Sequence, residues 1–122
     1  MKKLGPVLLV AVLALNLASP AFAGSGKKIY NNCRSCHSLK EGKNKMGPSL
    51  YNLFDREAGT VSRYRYSKAL KNSGIIWTKE TLDTWLQGMA VMIPGTKMRI
   101  RGLKEKDRQV LIEYLWSLQR DR

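Results

Sequence analysis

Two cysteines and the only histidine of the chain lie within five residues, as Cys33-Arg34-Ser35-Cys36-His37. Cys-x-x-Cys-His is the covalent attachment sequence for a c-type haem. With two residues between them, both thiols reach the two vinyl groups of one porphyrin from a single helical turn, and each forms a thioether. The imidazole of His37 then lies under the ring and is able to bind the iron. The motif therefore predicts one covalently bound haem c, with Cys33 and Cys36 as its thioethers.

Two other kinds of site use a pair of cysteines at this spacing. A closed zinc site needs four ligands, so the chain would have to add carboxylates to its two cysteines and single histidine. A thioredoxin-like redox pair is expected in a βαβ context, and no alternating β-branched segment precedes Cys33. The motif and its context favour haem over a zinc or dithiol role.

The second axial position of the iron separates an electron carrier from an enzyme or gas binder. Because His37 is the only histidine, ligation by two histidines of one chain is excluded, which leaves methionine, lysine or an open position. The candidate methionines are Met46, Met89, Met92 and Met98. Met98 is favoured because Pro94-Gly95 makes the preceding loop a stiff turn, whereas Met89 lies on a helical stripe typical of core packing. A thioether ligand predicts a low-spin haem of positive potential.

The elements that must hold this site are predicted to be short helices. Helices are expected over 26–32 and 67–72, and an amphipathic helix is expected to begin after the N-cap Thr78. Its apolar residues, spaced for one helical face, are Leu82, Trp85, Leu86 and Met89. Pro94-Gly95 is expected to end it, and a last helix is expected over 104–120. Without a strand pattern or an internal repeat, the sequence predicts an all-α fold of short helices and loops around one cofactor.

The first 23 residues have the layout of a secretory signal peptide. Met1-Lys2-Lys3 is basic, residues 6–17 are apolar, and Ala21-Phe22-Ala23 is a small-x-small cleavage site. An uncleaved membrane anchor is the alternative, but the apolar run is shorter than the ~20 residues that a spanning helix needs. We therefore expect cleavage after Ala23, export to the bacterial periplasm, and a single mature domain of residues 24–122.

The chain is strongly basic, with 22 Lys and Arg against 9 Asp and Glu and a formal net charge of +13. Such a balance favours nucleic acid, an anionic membrane surface or an acidic protein as the partner. Export argues against nucleic acid. An acidic redox protein is therefore the expected partner, and transient contact with a membrane surface is the second possibility.

Beyond the haem motif, the mature chain resembles the class I c-type cytochromes, close to mitochondrial cytochrome c and its soluble bacterial relatives. The segments that carry the likeness are Gly-Lys-Lys-Ile-Tyr (26–30), Gly-Pro-Ser-Leu (47–50), Asn-Leu-Phe-Asp-Arg (52–56), Gly-Ile-Ile-Trp (74–77) and Ile-Pro-Gly-Thr-Lys-Met (93–98). The last segment, at this distance from the haem motif, is far more specific than Cys-x-x-Cys-His alone. The resemblance implies the small all-α cytochrome c fold.

The resemblance also implies roles for residues around the haem. It makes His37 and Met98 the axial ligands, and it has the Pro48 carbonyl accept a hydrogen bond from the His37 ring. The residues that it places at a buried propionate are Arg56, Tyr66 and Trp77.

Some positions depart from the family pattern. Trp85 stands where a tyrosine hydroxyl usually reaches the methionine sulfur, and Leu70 replaces a common asparagine beneath the haem. Both changes remove polar groups, so we expect a drier pocket. Residues 88–92 lack the lysines and proline that usually precede the methionine loop. The residues expected to carry the docking charge instead are Lys97, Arg99, Arg101 and Lys104.

Together these features imply a soluble, monomeric, periplasmic one-electron carrier. By resemblance, its donor is a quinol–cytochrome c oxidoreductase and its acceptor a terminal oxidase or a photosynthetic reaction centre. Two alternatives stay open: a haem enzyme with peroxidase-like activity, and a dedicated electron-accepting subunit of a periplasmic dehydrogenase. The peroxidase alternative requires Met98 to leave the iron and a distal acid–base group, for which the chain has no second histidine.

Overall fold

The computed structural model describes residues 2–12 and 20–122, with the backbone alone for 20–23. The helices of the second range are α1 (Pro20–Tyr30), α2 (Lys68–Lys71), α3 (Lys79–Gln87), α4 (Met89–Met92) and α5 (Glu105–Arg120). Within the described residues, β pairing is limited to one isolated antiparallel bridge between Glu57 and Ile76. The predicted all-α architecture is confirmed.

The two terminal helices, α1 and α5, make the most extensive helix–helix contact of the domain. A Cβ at Gly26 would overlap the Cβ of Tyr114 and the carbonyl of Val110, so the backbones approach this closely only because residue 26 has no side chain. Beside this crossing, the rings of Tyr30 and Tyr114 lie 6.0 Å apart. Because α1 ends at Tyr30, the crossing also fixes the start of the haem motif.

The predicted amphipathic helix is divided in two. Its N-cap is Thr78 as expected, and the hydroxyl of Thr78 accepts the N–H three residues on in a capping box. Helix α3 then ends at Gln87, because Gly88 adopts an extended backbone (φ 178°, ψ 102°), and the four-residue α4 follows. The prediction that Pro94-Gly95 ends this helix is wrong, because Gly88, a poor helix former, interrupts it first.

The other predicted helices differ from the structure only at their ends. Helix α1 begins six residues before the predicted start, at Pro20, and ends at Tyr30, after which residues 31–36 form turns. Helix α2 lies between its caps Ser67 and Asn72. Helix α5 follows Lys104, which is its N-cap.

The core is built from α3, α5 and the loop around residue 54. Trp77 and Trp85 pack edge to face with ring centres 5.6 Å apart, a contact that adds about 0.5–1.5 kcal/mol to the burial of the two rings. Gln119 of α5 holds the backbone of Phe54 from both sides, accepting from its N–H at 2.9 Å and donating to its carbonyl at 3.1 Å. The end of α5 thereby fixes a loop that contributes Leu53 and Phe54 to the core.

Residues 2–12 add nothing to this core. Residues 2–12 form no helix or strand and are exposed, apolar side chains included. No helix of the described residues is long and apolar enough to cross a membrane. Met1 and residues 13–17 of the predicted apolar run lie outside the described residues, and the predicted cleavage site falls in the first turn of α1. Removal of residues 1–23 stays a prediction.

Candidate functional site

A cavity of about 460 Å³ opens between the haem motif, the core helices and the loop before α5. Its size is in the range of about 300–1,000 Å³ that is typical of small-molecule and cofactor sites. Most of its wall is apolar. The predicted site residues that line it are Cys33, Cys36, His37, Pro48, Arg56, Tyr66, Trp77 and Met98. The structure therefore gathers the predicted thioether, axial and propionate residues around one space.

The haem motif leaves α1 as a hydrogen-bonded turn. The N–H of Cys33 donates to the Tyr30 carbonyl at 2.7 Å, and the N–H of His37 donates to the Cys33 carbonyl at 2.9 Å. Both thiols are free and half-buried. Burial, with Cys36 close by, raises the pKa of the Cys33 thiol, so Cys33 is protonated at neutral pH. Two unpaired thiols at the cavity wall suit two thioether bonds to one ring.

His37 is buried, and one contact fixes its tautomer. Its Nδ1 lies 2.7 Å from the carbonyl oxygen of Pro48, which only accepts, so Nδ1 carries the proton and Nε2 keeps its lone pair. Burial lowers the pKa of His37, the charge of Arg56 lowers it further, and the hydrogen bond to Pro48 acts in the opposite direction. A neutral imidazole with a free Nε2 is the form that binds a metal.

Gly47 makes room for the His37 ring. A Cβ at this position would overlap Cε1 of the imidazole and would lie 2.7 Å from Nδ1 and 2.8 Å from Nε2. The N–H of Gly47 also donates to the Cys36 carbonyl at 2.7 Å. The sequence indicated a turn at Gly47-Pro48, but the contact with the ring required the structure.

Arg56 and Tyr66 lie at the cavity wall with part of their hydrogen-bonding capacity already used. The guanidinium of Arg56 donates to the carbonyls of Tyr51 (2.9 Å) and Ser49 (3.2 Å), which occupies two of its five N–H groups. The hydroxyl of Tyr66 accepts the N–H of Val61 at 3.1 Å. Burial raises the pKa of Tyr66, so its hydroxyl keeps a proton to donate. Both side chains therefore have donors left for a propionate.

The tryptophans give the cavity a largely apolar wall. Trp77 and Trp85 are each about 5–6% exposed, and Leu70 lines the same space. Among the described residues, neither indole N–H has a protein acceptor. Since no fully buried side-chain nitrogen there lacks a partner, neither indole N–H is fully buried, and both residues line the cavity. The N–H of Trp77 therefore remains unpaired within the described residues, as the propionate role requires.

The segment before α5 carries Met98 to the cavity. Gly95 has a left-handed backbone (φ 90°), and the N–H of Thr96 donates to the Ile93 carbonyl at 3.2 Å. These two features make residues 93–96 a tight turn. Met98 follows this turn, is half-buried and lines the cavity. Thr96 is only 2% exposed and also lines it. No sequence signal marks Thr96 as a site residue, because a threonine in a loop carries no distinguishing pattern.

The other candidate methionines occupy different environments. Met46 lines the cavity but is 81% exposed, at its rim. Met89 is 1% exposed within the core, and neither Met89 nor Met92 lines the cavity. Met98 is thus the one partly buried methionine in the cavity wall among the described residues.

The residues predicted for docking are all exposed, and they form two groups. Lys97 and Arg99 line the cavity; the Lys97 ammonium donates to the Arg65 carbonyl at 2.9 Å, and Nε of Arg99 donates to the Thr96 carbonyl at 3.3 Å. In the part of the chain that the structure describes, Arg101 and Lys104 have no side-chain hydrogen bond. Arg101 and Lys104 are therefore the more available charges.

The other cysteine chemistries do not fit this structure. No group of three or more His, Cys, Asp or Glu side chains that could hold a metal ion is present in residues 2–12 and 20–122. No strand of these ranges flanks the two cysteines, as a thioredoxin-like pair requires. The paired thiols, the neutral imidazole and the large apolar cavity instead fit one haem.

Comparison with known proteins agrees with this geometry. The family model described as cytochrome c matches residues 23–119. Cytochrome c2 of Blastochloris viridis is 39% identical over 99% of this chain and 97% of that protein. Cytochrome c of Euglena viridis is 42% identical over 79% of this chain and 96% of that protein. The solved structure of cytochrome cH from Methylobacterium extorquens superposes with a TM-score of 0.72, at 35% identity, over 78% of this chain and 97% of that one.

A family match over residues 23–119 spans most of the chain and includes every predicted site residue. Both the haem-binding motif and the cavity in this fold agree with membership of this family. The chain belongs to the cytochrome c family: it is an electron-transfer protein, not an enzyme, and it carries one covalently attached haem c.

Proposed function

We propose that the chain is a periplasmic one-electron carrier in which Nε2 of His37 and Sδ of Met98 would bind the haem iron. The observation that carries this proposal is that one largely apolar cavity is lined by both side chains and by the two thiols of Cys33 and Cys36. Bound there, haem supplies reversible one-electron chemistry at its iron.

The protein's contribution is to hold its ligands still and to keep water out. The Pro48 carbonyl holds the His37 ring in one orientation and one tautomer. The turn at Gly95 holds Met98 at the cavity, and the buried rings of Trp77 and Trp85 exclude solvent. With two fixed ligands and a dry wall, little rearrangement accompanies a change of charge. A thioether ligand and an apolar wall both favour the reduced state.

The composition of the cavity wall supports transfer rather than peroxide chemistry. Peroxide cleavage needs a positioned acid–base group close to the iron. Of the described residues that line the cavity, His37 is the only histidine, and no carboxylate is among them. Thus the wall offers neither a second histidine nor a carboxylate as the distal group that a peroxidase uses.

The partners that we propose are acidic redox complexes. The exposed cations after Met98, above all Arg101 and Lys104, would steer the protein onto a negative surface. Nearby, Val91 and Ile100 are 88% and 48% exposed and would supply apolar contact once the charges have oriented the pair. By family membership we propose a quinol–cytochrome c oxidoreductase as donor, and a terminal oxidase or photosynthetic reaction centre as acceptor.

Location in the periplasm rests on residues 1–23. Their basic start, apolar run and small-x-small site form a secretory signal, and the similarity to cytochrome c2 of Blastochloris viridis extends over 99% of the chain. We propose that cleavage after Ala23 releases a domain of residues 24–122, which nearly coincides with the family match that begins at residue 23.

A redox titration combined with partner kinetics tests this function. We expect a one-electron titration curve with a positive midpoint, and reoxidation by an acidic oxidase that slows as salt is added. Rapid turnover of peroxide would contradict the carrier function. Reaction with one dehydrogenase and with no oxidase or reaction centre would identify a dedicated subunit instead. Fractionation of cells, with the mass of the exported protein, tests the location and the cleavage site.

A further inference from the structure

A line of hydrogen bonds runs outward from His37 through the peptide that joins Pro48 to Ser49. On one side of this peptide, the Pro48 carbonyl accepts from Nδ1 of His37 at 2.7 Å. On the other side, the Ser49 N–H donates to Oδ1 of Asn44 at 2.9 Å. The Asn44 amide in turn donates from Nδ2 to the Ser62 carbonyl at 2.9 Å. His37 is therefore linked to the side chain of Asn44 through a single peptide unit.

The direction of this line is fixed by its partners. A backbone N–H only donates, and a backbone carbonyl only accepts. Asn44 must therefore present its oxygen to Ser49 and its amide nitrogen to Ser62. Likewise, Nδ1 of His37 must carry a proton. Every bond in the line points the same way, from donor to acceptor, which is the arrangement in which neighbouring hydrogen bonds strengthen one another.

The peptide at the centre of the line is shielded from solvent. Ser49 is only 2% exposed. Its hydroxyl donates to the Lys40 carbonyl at 2.6 Å, and its own carbonyl accepts from Arg56 at 3.2 Å. Because little water reaches this site, the acceptor that Asn44 supplies to the Ser49 N–H has no ready substitute.

A peptide whose N–H is hydrogen-bonded carries more negative charge on its carbonyl oxygen, so it becomes a stronger acceptor. A stronger acceptor at Pro48 draws the Nδ1 proton of His37 outward and leaves more electron density at Nε2, which raises the basicity of the ligand. A more basic ligand stabilises Fe(III) relative to Fe(II). The strength of the contact at Asn44 should therefore be measurable at the iron.

We propose that Asn44 is a positioning residue that tunes His37 through the Pro48–Ser49 peptide and so lowers the reduction potential of the haem. The proposal rests on the proposed function in one respect, that His37 binds the iron. It gives Asn44 a second role beyond holding the turn at residues 44–49 against the loop that contains Ser62.

Three variants of the haem-loaded protein test this inference. Asn44→Ala removes the acceptor without a change of charge. Asn44→Asp keeps an oxygen acceptor for the Ser49 N–H, makes it stronger and adds a negative charge, while it loses the donor to the Ser62 carbonyl. Lys43→Gln changes the net charge by the same amount at the neighbouring exposed residue but leaves the hydrogen bonds intact, so it is the matched control for through-space charge.

Two quantities are measured. The first is the reduction potential of the haem, and the second is the chemical shift of the Nδ1 proton of His37 in the NMR spectrum of the reduced protein. For Asn44→Ala, we expect the ratio of reduced to oxidised protein at fixed ambient potential to rise about threefold, roughly 28 mV at 59 mV per tenfold for one electron. Its Nδ1 proton resonance should move upfield as the hydrogen bond weakens. Asn44→Asp should move both readouts in the opposite direction, and beyond the shift that Lys43→Gln causes.

The inference is overturned if Asn44→Ala is less stable but leaves both readouts unchanged, which is the behaviour of a purely structural clamp. It is also overturned if Asn44→Asp shifts the potential no further than Lys43→Gln does and leaves the Nδ1 proton resonance of His37 unchanged. If Asn44→Ala does not fold, this comparison of Asn44→Asp with Lys43→Gln is the deciding test. Failure of the proposed function looks different. In that case the wild-type protein itself lacks histidine ring resonances displaced upfield by the haem.

Discussion

The carbonyl oxygen of Pro48 accepts the Nδ1 proton of His37 at 2.7 Å. Backbone hydrogen bonds lie on both sides of this contact: Gly47 donates to the Cys36 carbonyl at 2.7 Å, and Leu50 donates to the Ser38 carbonyl at 2.8 Å. The turn that supplies the acceptor is thus paired with the haem motif before and after the histidine. The ring is held between the two segments, with its second nitrogen free for the iron.

Because residue 47 lies against this ring, Gly47→Ala should disturb ligand and fold together. We expect a loss of about 1–3 kcal/mol in the free energy of unfolding, as for an overpacked core site, and a smaller fraction of low-spin haem. Gly88→Ala is the control, since its Cβ would approach no atom closer than 3.5 Å and its φ of 178° suits any residue. Denaturation and absorption spectra are the measurements; equal effects of the two variants would contradict this role for Gly47.

Replacement of Met98 tests the sixth ligand. In Met98→Ala we expect a lower potential, since the soft thioether that favours Fe(II) is gone. We also expect at least tenfold tighter binding of an added ligand such as imidazole, about 1.4 kcal/mol. Met92→Leu, which alters a methionine outside the cavity wall, should leave both quantities near the wild-type values. If imidazole binds Met98→Ala no more tightly than it binds wild type, Met98 is not the ligand.

An ion pair between α3 and α5 predicts how stability depends on pH. Nε of Arg108 donates to the Asp83 carboxylate at 2.7 Å, and this hydrogen bond is the main cause that lowers the pKa of Asp83 from its ordinary value of 3.8. The pair therefore adds stability that is fully present above pH 3.8 and is lost as the pH falls through the lower value of the folded state.

Asp83→Asn should lose this contribution, about 0.5–1 kcal/mol at neutral pH for a partly exposed pair. Its stability should also fall less steeply than that of wild type when the pH drops below about 4. Glu113→Gln is the matched control, because the Lys79–Glu113 pair is more exposed, at 38% and 49% of the two side chains. Acid titration followed by circular dichroism is the measurement, and identical acid profiles for Asp83→Asn and wild type would refute the prediction.

The cations after Met98 are expected to set the association rate. Neutralising Arg99 and Arg101 together should slow reduction of an acidic oxidase roughly three- to tenfold at low ionic strength and should flatten the salt dependence. Lys68 and Lys71 of α2, which are exposed and do not line the cavity, supply the control in which the same two charges are removed. If both double variants lose rate equally, the effect is one of net charge and the docking face lies elsewhere.

Sequence patterns predicted the parts of this structure that depend on local spacing. The haem motif, the capped start of α3 at Thr78 and the last helix are each indicated by residues close together in the chain. The stripe through Met89 correctly predicted burial, since Met89 is 1% exposed. It did not reveal that Gly88 interrupts the helix, because the apolar spacing continues across the break.

The contacts that the sequence did not reveal join residues far apart in the chain or lie in loops without periodicity. Gln119 binds the backbone of Phe54, 65 residues away. Asn44 connects Ser49 to Ser62, and nothing about a lone asparagine in a polar loop predicts its partners. Such side-chain contacts to the backbone depend on where two loops meet, and only the folded chain determines that.

Absorption spectra of the purified protein, oxidised and reduced, show whether His37 and Met98 both bind the iron of one covalently held haem. We predict sharp low-spin bands in the reduced state and, in the oxidised state, the weak far-red band of a haem ligated by methionine. These would be the signatures of His37 and Met98 on one covalently held iron. A c-type spectrum without the far-red band, or with high-spin features, would contradict ligation by Met98, because the iron would then be open to peroxide and other ligands.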